Sequence, residues 1–208
     1  MTGPRGGVAP TVPPVRLAVL GDSIAYGTGA AARSDTIGAR LHAALLATGR
    51  DAVVDVVAVP GARSAGLAAQ VRRALRRPPD VAVVVIGAND LAHLADPTAC
   101  ARALGDAVAA LTAAGARVVV ATAPDLSVVP GVPAAFRGAV REASAAYAAL
   151  QAAAVTAAGG AVASLGSLLA PAFAGDVSLF AADRYHPSSA GHALIADALA
   201  PYVLAAAA

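Results

Sequence analysis

Ser23 stands in Gly21-Asp22-Ser23-Ile24, directly after a short apolar run from Arg16 to Leu20. A serine hydroxyl is a weak nucleophile unless a base takes its proton. His186, in Asp183-Arg184-Tyr185-His186-Pro187, offers an imidazole for that task, and Asp183 lies three residues upstream. A carboxylate there would fix the ring tautomer and support the imidazolium. Two further segments carry groups suited to an oxyanion. Pro60-Gly61-Ala62-Arg63 has a glycine that can turn a backbone N–H toward a reactant, and Gly87-Ala88-Asn89-Asp90 has a side-chain amide. The chemistry these residue types would do together is acyl transfer through a serine. Taken singly, Ser23 reads better as a helix N-cap and Asn89 as a turn residue. Asp22 reads as a loop-fixing residue, and Asp90 as a cap on the turn after Asn89.

The elements needed to bring these segments together follow from patterning. Apolar runs at Arg16 to Leu20, Ala52 to Val59, Val81 to Ile86, Arg117 to Thr122 and Ala161 to Leu165 read as five strands. Val81 to Ile86, uninterrupted and β-branched, suits a central strand buried on both faces. Helices are predicted over Ile37 to Thr48 (capped by Ser34 or Asp35), Ala65 to Arg76, Thr98 to Ala114, Ala134 to Ala158, and from Ser188 or Ser189 to Leu199 or beyond. Alternating strands and helices predict a three-layer α/β/α sandwich with a mostly parallel five-stranded sheet. In such sheets ligands sit beyond the carboxyl ends of the strands, which is where the chemistry-bearing segments fall. Residues 1–14, rich in Gly and Pro, read as a flexible arm before a single domain over 15–208.

The four segments resemble those of the SGNH (GDSL-like) hydrolases, in the same order and across nearly the whole domain: Ser23, Gly61, Asn89 and His186. The resemblance implies a flavodoxin-like fold and a serine esterase working through an acyl-enzyme. By that likeness Ser23 is the nucleophile, His186 the base and Asp183 its orienting carboxylate. The N–H groups of Ser23 and Gly61 and the amide of Asn89 form the oxyanion hole. It further implies a shallow site without a large lid, short acyl groups, and neither cofactor nor metal. Sugar O-deacetylation, thioester cleavage and acyl transfer use the same triad and stay open. Leu126, Val128, Val129 and Phe136 are candidates to shape the acyl pocket.

Other residues favour quieter readings. His42 and His192 read as packing residues, His93 as a satisfied loop histidine, Tyr185 as a rim residue and Cys100 as a small core residue. Arg63 could meet an anionic substrate group, with a structural ion pair at least as good a reading. Arg72, Arg73, Arg76 and Arg77 read as a solvated helix end. A net charge of +2 and 3% aromatics argue against a nucleic-acid partner. Gly27-Thr28-Gly29-Ala30-Ala31-Ala32 matches a dinucleotide fingerprint in letters, but it begins too far past the first strand. A non-catalytic binding protein should have lost site residues, and none is lost. One cysteine permits no internal disulfide. The uncharged stretch Ala143 to Gly175 is Ala-rich and split by Gly159-Gly160, so it predicts two soluble elements rather than a membrane span. These features predict a cytoplasmic protein acting on a small ester, with no stable membrane insertion.

Overall fold

The computed structural model describes residues 13–208, so nearly all of the arm expected over 1–14 lies outside the described residues. Strand β1 (Val15–Gly21) is followed by α1 (Ser23–Tyr26), α2 (Ile37–Ala47), β2 (Ala52–Val56) and α3 (Leu67–Ala74). Then come β3 (Val81–Val85), α4 (Ala88–Ala92), α5 (Pro97–Ala113), β4 (Arg117–Ala121) and α6 (Arg137–Ala157). The chain closes with β5 (Ala161–Ala163), α7 (Leu165–Gly175) and α8 (Ser189–Ala207). The five strands pair in the order β2-β1-β3-β4-β5, and every pair is parallel.

Strand pleating divides the core in two. Val81, Val83 and Val85 face a cluster built with Leu41 of α2, Leu165 of α7 and Ile195 of α8. Ala82 and Val84 face the other side, against Leu67 of α3, Leu104 of α5 and Val155 of α6. Burial on both faces explains why the central strands read as continuous apolar runs. The path from β1 to β2 runs through α2 on one face, and the return to β3 runs through α3 on the other. The sheet direction reverses between β1 and β3, which opens a crevice at their carboxyl ends.

Several boundaries differ from expectation. The cap of α2 is Thr36, whose side chain accepts from Ala39 N; Ser34 and Asp35 sit in a 3-10 turn before it. The regular part of β2 stops at Val56 because Val57 N and Ala58 N both donate to Val19 O, a local irregularity in the ladder. The helices expected from Ala65 and Ala134 each begin with a 3-10 turn, at Ser64–Gly66 and Ala134–Phe136. The short α4 and all of α7 were not foreseen, and β5 ends at Ala163. Among the described residues, α8 alone is long and apolar enough to cross a membrane by length and composition. Its buried residues, among them His192, Ile195 and Leu199, pack inside the fold.

Candidate active site

At the end of β1 the backbone passes so close to β3 that a Cβ on Gly21 (φ +135°) would run into Val85 O. Gln70, buried on α3, completes this strand end: its amide oxygen accepts from Gly21 N at 2.8 Å and its nitrogen donates to Gly21 O at 2.8 Å. The next residue, Asp22, caps α1 by accepting from Ile24 N at 2.9 Å. Ser23 is therefore the first residue of α1 and not its cap. Gly27 closes this single helical turn, so the glycine-rich letters at 27–32 follow a helix instead of opening one.

His186 lies on the segment before α8, which folds back on itself through Ala181 N to His186 O at 2.8 Å. Asp183 organises it. One carboxylate oxygen accepts from the backbone N–H groups of Tyr185 and His186 at 2.9 and 3.0 Å. The other lies 2.6 Å from His186 Nδ1. The hydrogen bond from His186 holds the Asp183 carboxyl down at about 2, so it is an ionised, acceptor-only group. Nδ1 must then donate, which leaves Nε2 as an acceptor 3.0 Å from Ser23 Oγ. Residues 163 positions apart in sequence thus form one continuous chain of hydrogen bonds. Ser23 is buried, whereas the Asp183 side chain is 49% exposed.

The other two predicted segments, which follow β2 and β3, meet each other. Asn89 Nδ2 donates to Ala62 O at 3.0 Å, so the amide and the Gly61 turn are tied together. Gly61 has φ +77°, and a Cβ there would meet nothing within 4 Å; its need for glycine is conformational, with open space in front. The expected capping role for Asp90 is overturned. Asp90 is buried and accepts from Ser64 N (3.1 Å), Ser64 Oγ (2.6 Å), Tyr147 Oη (2.9 Å) and Cys100 Sγ (3.3 Å). Burial pushes the Cys100 thiol up to about 11 and the Tyr147 hydroxyl higher still, so both remain protonated donors. This cluster joins the β2 turn to α4, α5 and α6, and a carboxylate so engaged has no need of the local turn. A second buried amide, Gln151 on α6, accepts from Ala123 N at 2.6 Å and donates to Ile86 O at 3.2 Å. Ser64, Tyr147, Gln70 and Gln151 were not foreseen. The one sequence signal for the glutamines is a polar residue on an otherwise apolar helix stripe.

The remaining residues sort as follows. His93 Nδ1 is 2.8 Å from Asn89 O, and His42 Nε2 is 2.9 Å from Ala52 O. His192 is fully buried with Nε2 2.9 Å from Thr28 O, and burial lowers its pKa, so it is a neutral donor pinning the loop after α1 onto α8. Arg63 is exposed and forms no ion pair among the described residues, contrary to the structural pairing considered for it. Leu126, Val128 and Val129 border a recess beside Ser23, but Phe136 points elsewhere and is 61% exposed. Tyr185 packs edge-on against His186 with ring centroids 5.1 Å apart. Among the described residues, no three His, Cys, Asp or Glu side chains cluster in a way that could hold a metal.

Comparison with known proteins agrees with this architecture. The "GDSL-like esterase Rv1075c" of Mycobacterium tuberculosis is 41% identical over 189 residues, which cover 89% of this chain but 60% of that protein. The crystal structure of TesA superposes with a TM-score of 0.76 at 23% identity, covering 92% of this chain and 99% of that one. A catalytic mutant of Axe2, an acetylxylan esterase from Geobacillus stearothermophilus, gives a TM-score of 0.73 at 18% identity, covering 91% and 94%. Residues 19–194 match the family model as well. A match of that extent, on a parallel sheet whose strand ends gather these side chains, makes the chain a member of the GDSL-like lipase/acylhydrolase family.

Proposed function

We propose that this chain is a serine esterase that hydrolyses short-chain carboxylic esters through an acyl-enzyme. The observation that carries the reading is the hydrogen-bonded line from Ser23 Oγ through the His186 ring to the Asp183 carboxylate, at 3.0 and 2.6 Å. In the first step Ser23 Oγ attacks the ester carbonyl carbon and its proton passes to His186 Nε2. Asp183 stabilises the imidazolium. The negative oxygen is met by the N–H of Ser23, the N–H of Gly61 and the Asn89 amide, which has a second N–H beside the one given to Ala62 O. As the carbon–oxygen bond to the alcohol breaks, the leaving oxygen takes the proton from Nε2. Water then repeats the sequence on the acyl-enzyme, releasing the acid and freeing Ser23. No step calls for a cofactor.

The test is Ser23→Ala, assayed by proton release from ethyl acetate and ethyl butyrate. The alanine fits the first position of α1, so the variant should keep its melting temperature while turnover falls to background. Turnover retained by a folded Ser23→Ala protein overturns the assignment.

A further inference from the structure

Two apolar recesses lie beside each other near the site, one of them against the reacting groups. The first has a volume of about 90 Å³ and lies on the α7–α8 side. Val85 and Ala121 form its floor, Leu169 and Phe173 belong to its α7 wall, and both Ser23 and His186 border it. The second is a groove of about 600 Å³ along α4 and α6, bordered by Leu91, Leu94 and Leu150 but by neither Ser23 nor His186. Tyr185 borders both, as do Leu126 and Val129.

An ester has two halves, and proton transfer decides which goes where. The leaving oxygen must come within hydrogen-bond reach of His186 Nε2 to take its proton. The first carbons of the alcohol therefore start beside the imidazole, on the side where it borders the smaller recess. We propose that this recess is an alcohol-binding subsite selecting short, unfunctionalised alkyl alcohols of up to roughly four carbons, with the acyl chain lying in the adjoining groove. The size limit follows from volume: a cavity of about 150 Å³ admits benzene, and this one measures about 90 Å³. Composition sets the chemistry. Apart from Ser23 and His186, the recess offers few polar side chains, and one of them, Asp125, is already committed to Ser127 N at 2.9 Å and to Arg141 at 3.7 Å. A sugar or charged alcohol would leave its hydroxyls unpaired there, which disfavours it. The inference rests on the ester-hydrolase reading and extends it from the bond cleaved to the alcohol released.

Two substrate series distinguish the halves: acetates of methanol through octanol, and ethyl esters of acetic through hexanoic acid, each followed by proton release. Wild type should lose about tenfold in kcat/KM for each methylene beyond the alcohol limit and show no such break in the acyl series. Phe173→Ala should move the break two or three carbons up the alcohol series, and Ala170→Leu should move it down, while the relative rates along the acyl series keep their order and show no break. If either variant fails to fold, the two wild-type series and the other variant still decide. A break that appears, or moves, in the acyl series instead overturns the assignment, as does an alcohol series without a break. Absence of hydrolysis in both series, with Ser23 unreactive toward a fluorophosphonate, is a different result: it removes the hydrolase reading itself.

Discussion

Asp183 is half exposed, yet the His186 hydrogen bond holds its carboxyl down at about 2, so it stays ionised at any higher pH. Asp22 behaves in the opposite way. It is 1% exposed, one oxygen caps α1, and the other meets no hydrogen-bond partner among the described residues. Burial raises its carboxyl from 3.8 to about 6. Between those values the folded chain holds a proton that the unfolded chain has released. Stability through this group therefore falls as pH rises across that window, by up to about 3 kcal/mol. Asp22→Asn retains an oxygen for Ile24 N and removes the titration. Its melting temperature should gain on wild type between pH 4 and pH 7; melting curves whose pH dependence runs parallel to wild type would contradict the buried acid.

At the level of elements, the Asp90 cluster fastens the β2 turn to three helices. Ser64 Oγ supplies its shortest bond, at 2.6 Å. Ser64→Ala removes that donor and leaves Asp90 with its remaining partners, which should cost about 1–3 kcal/mol. Because Ala62 O and Gly61 belong to the same turn, kcat should fall about tenfold with KM nearly unchanged, as expected for loss of a transition-state interaction. A stability loss with unchanged kcat would detach the cluster from the chemistry. The strands and most helices were legible because their signals are local: β-branched runs, glycine stops, a serine before α8. The Asp90 cluster was not, since its donors come from positions 64, 100 and 147, and no spacing rule links them. The cap of α2 was misplaced among three adjacent residues that can all cap, and only the backbone conformation chooses Thr36. The α7 helix escaped notice because it carries Pro171 within an uncharged stretch lacking a clear stripe. With it went the α7 wall of the recess beside Ser23.

Over the whole molecule, parallel order and the reversal of winding between β1 and β3 carry the four expected segments to one edge of the sheet. Ser23 and Asn89 ride on turns that emerge from the sheet, whereas His186 arrives from the chain that enters α8. Two unequal recesses lie beside the site. The relative from Mycobacterium tuberculosis is longer, and this chain spans 60% of it. Residues 19–194, which match the family model, hold every residue of the proposed mechanism.

In the proposed mechanism His186 makes Ser23 Oγ a nucleophile. A fluorophosphonate probe reports this directly, because phosphonylation needs an activated hydroxyl and releases fluoride. Peptide mass analysis should find the adduct on Ser23 in wild type, with the labelling rate reduced by several orders of magnitude in His186→Ala. An adduct on another residue, or equal labelling rates in the two proteins, would contradict the account.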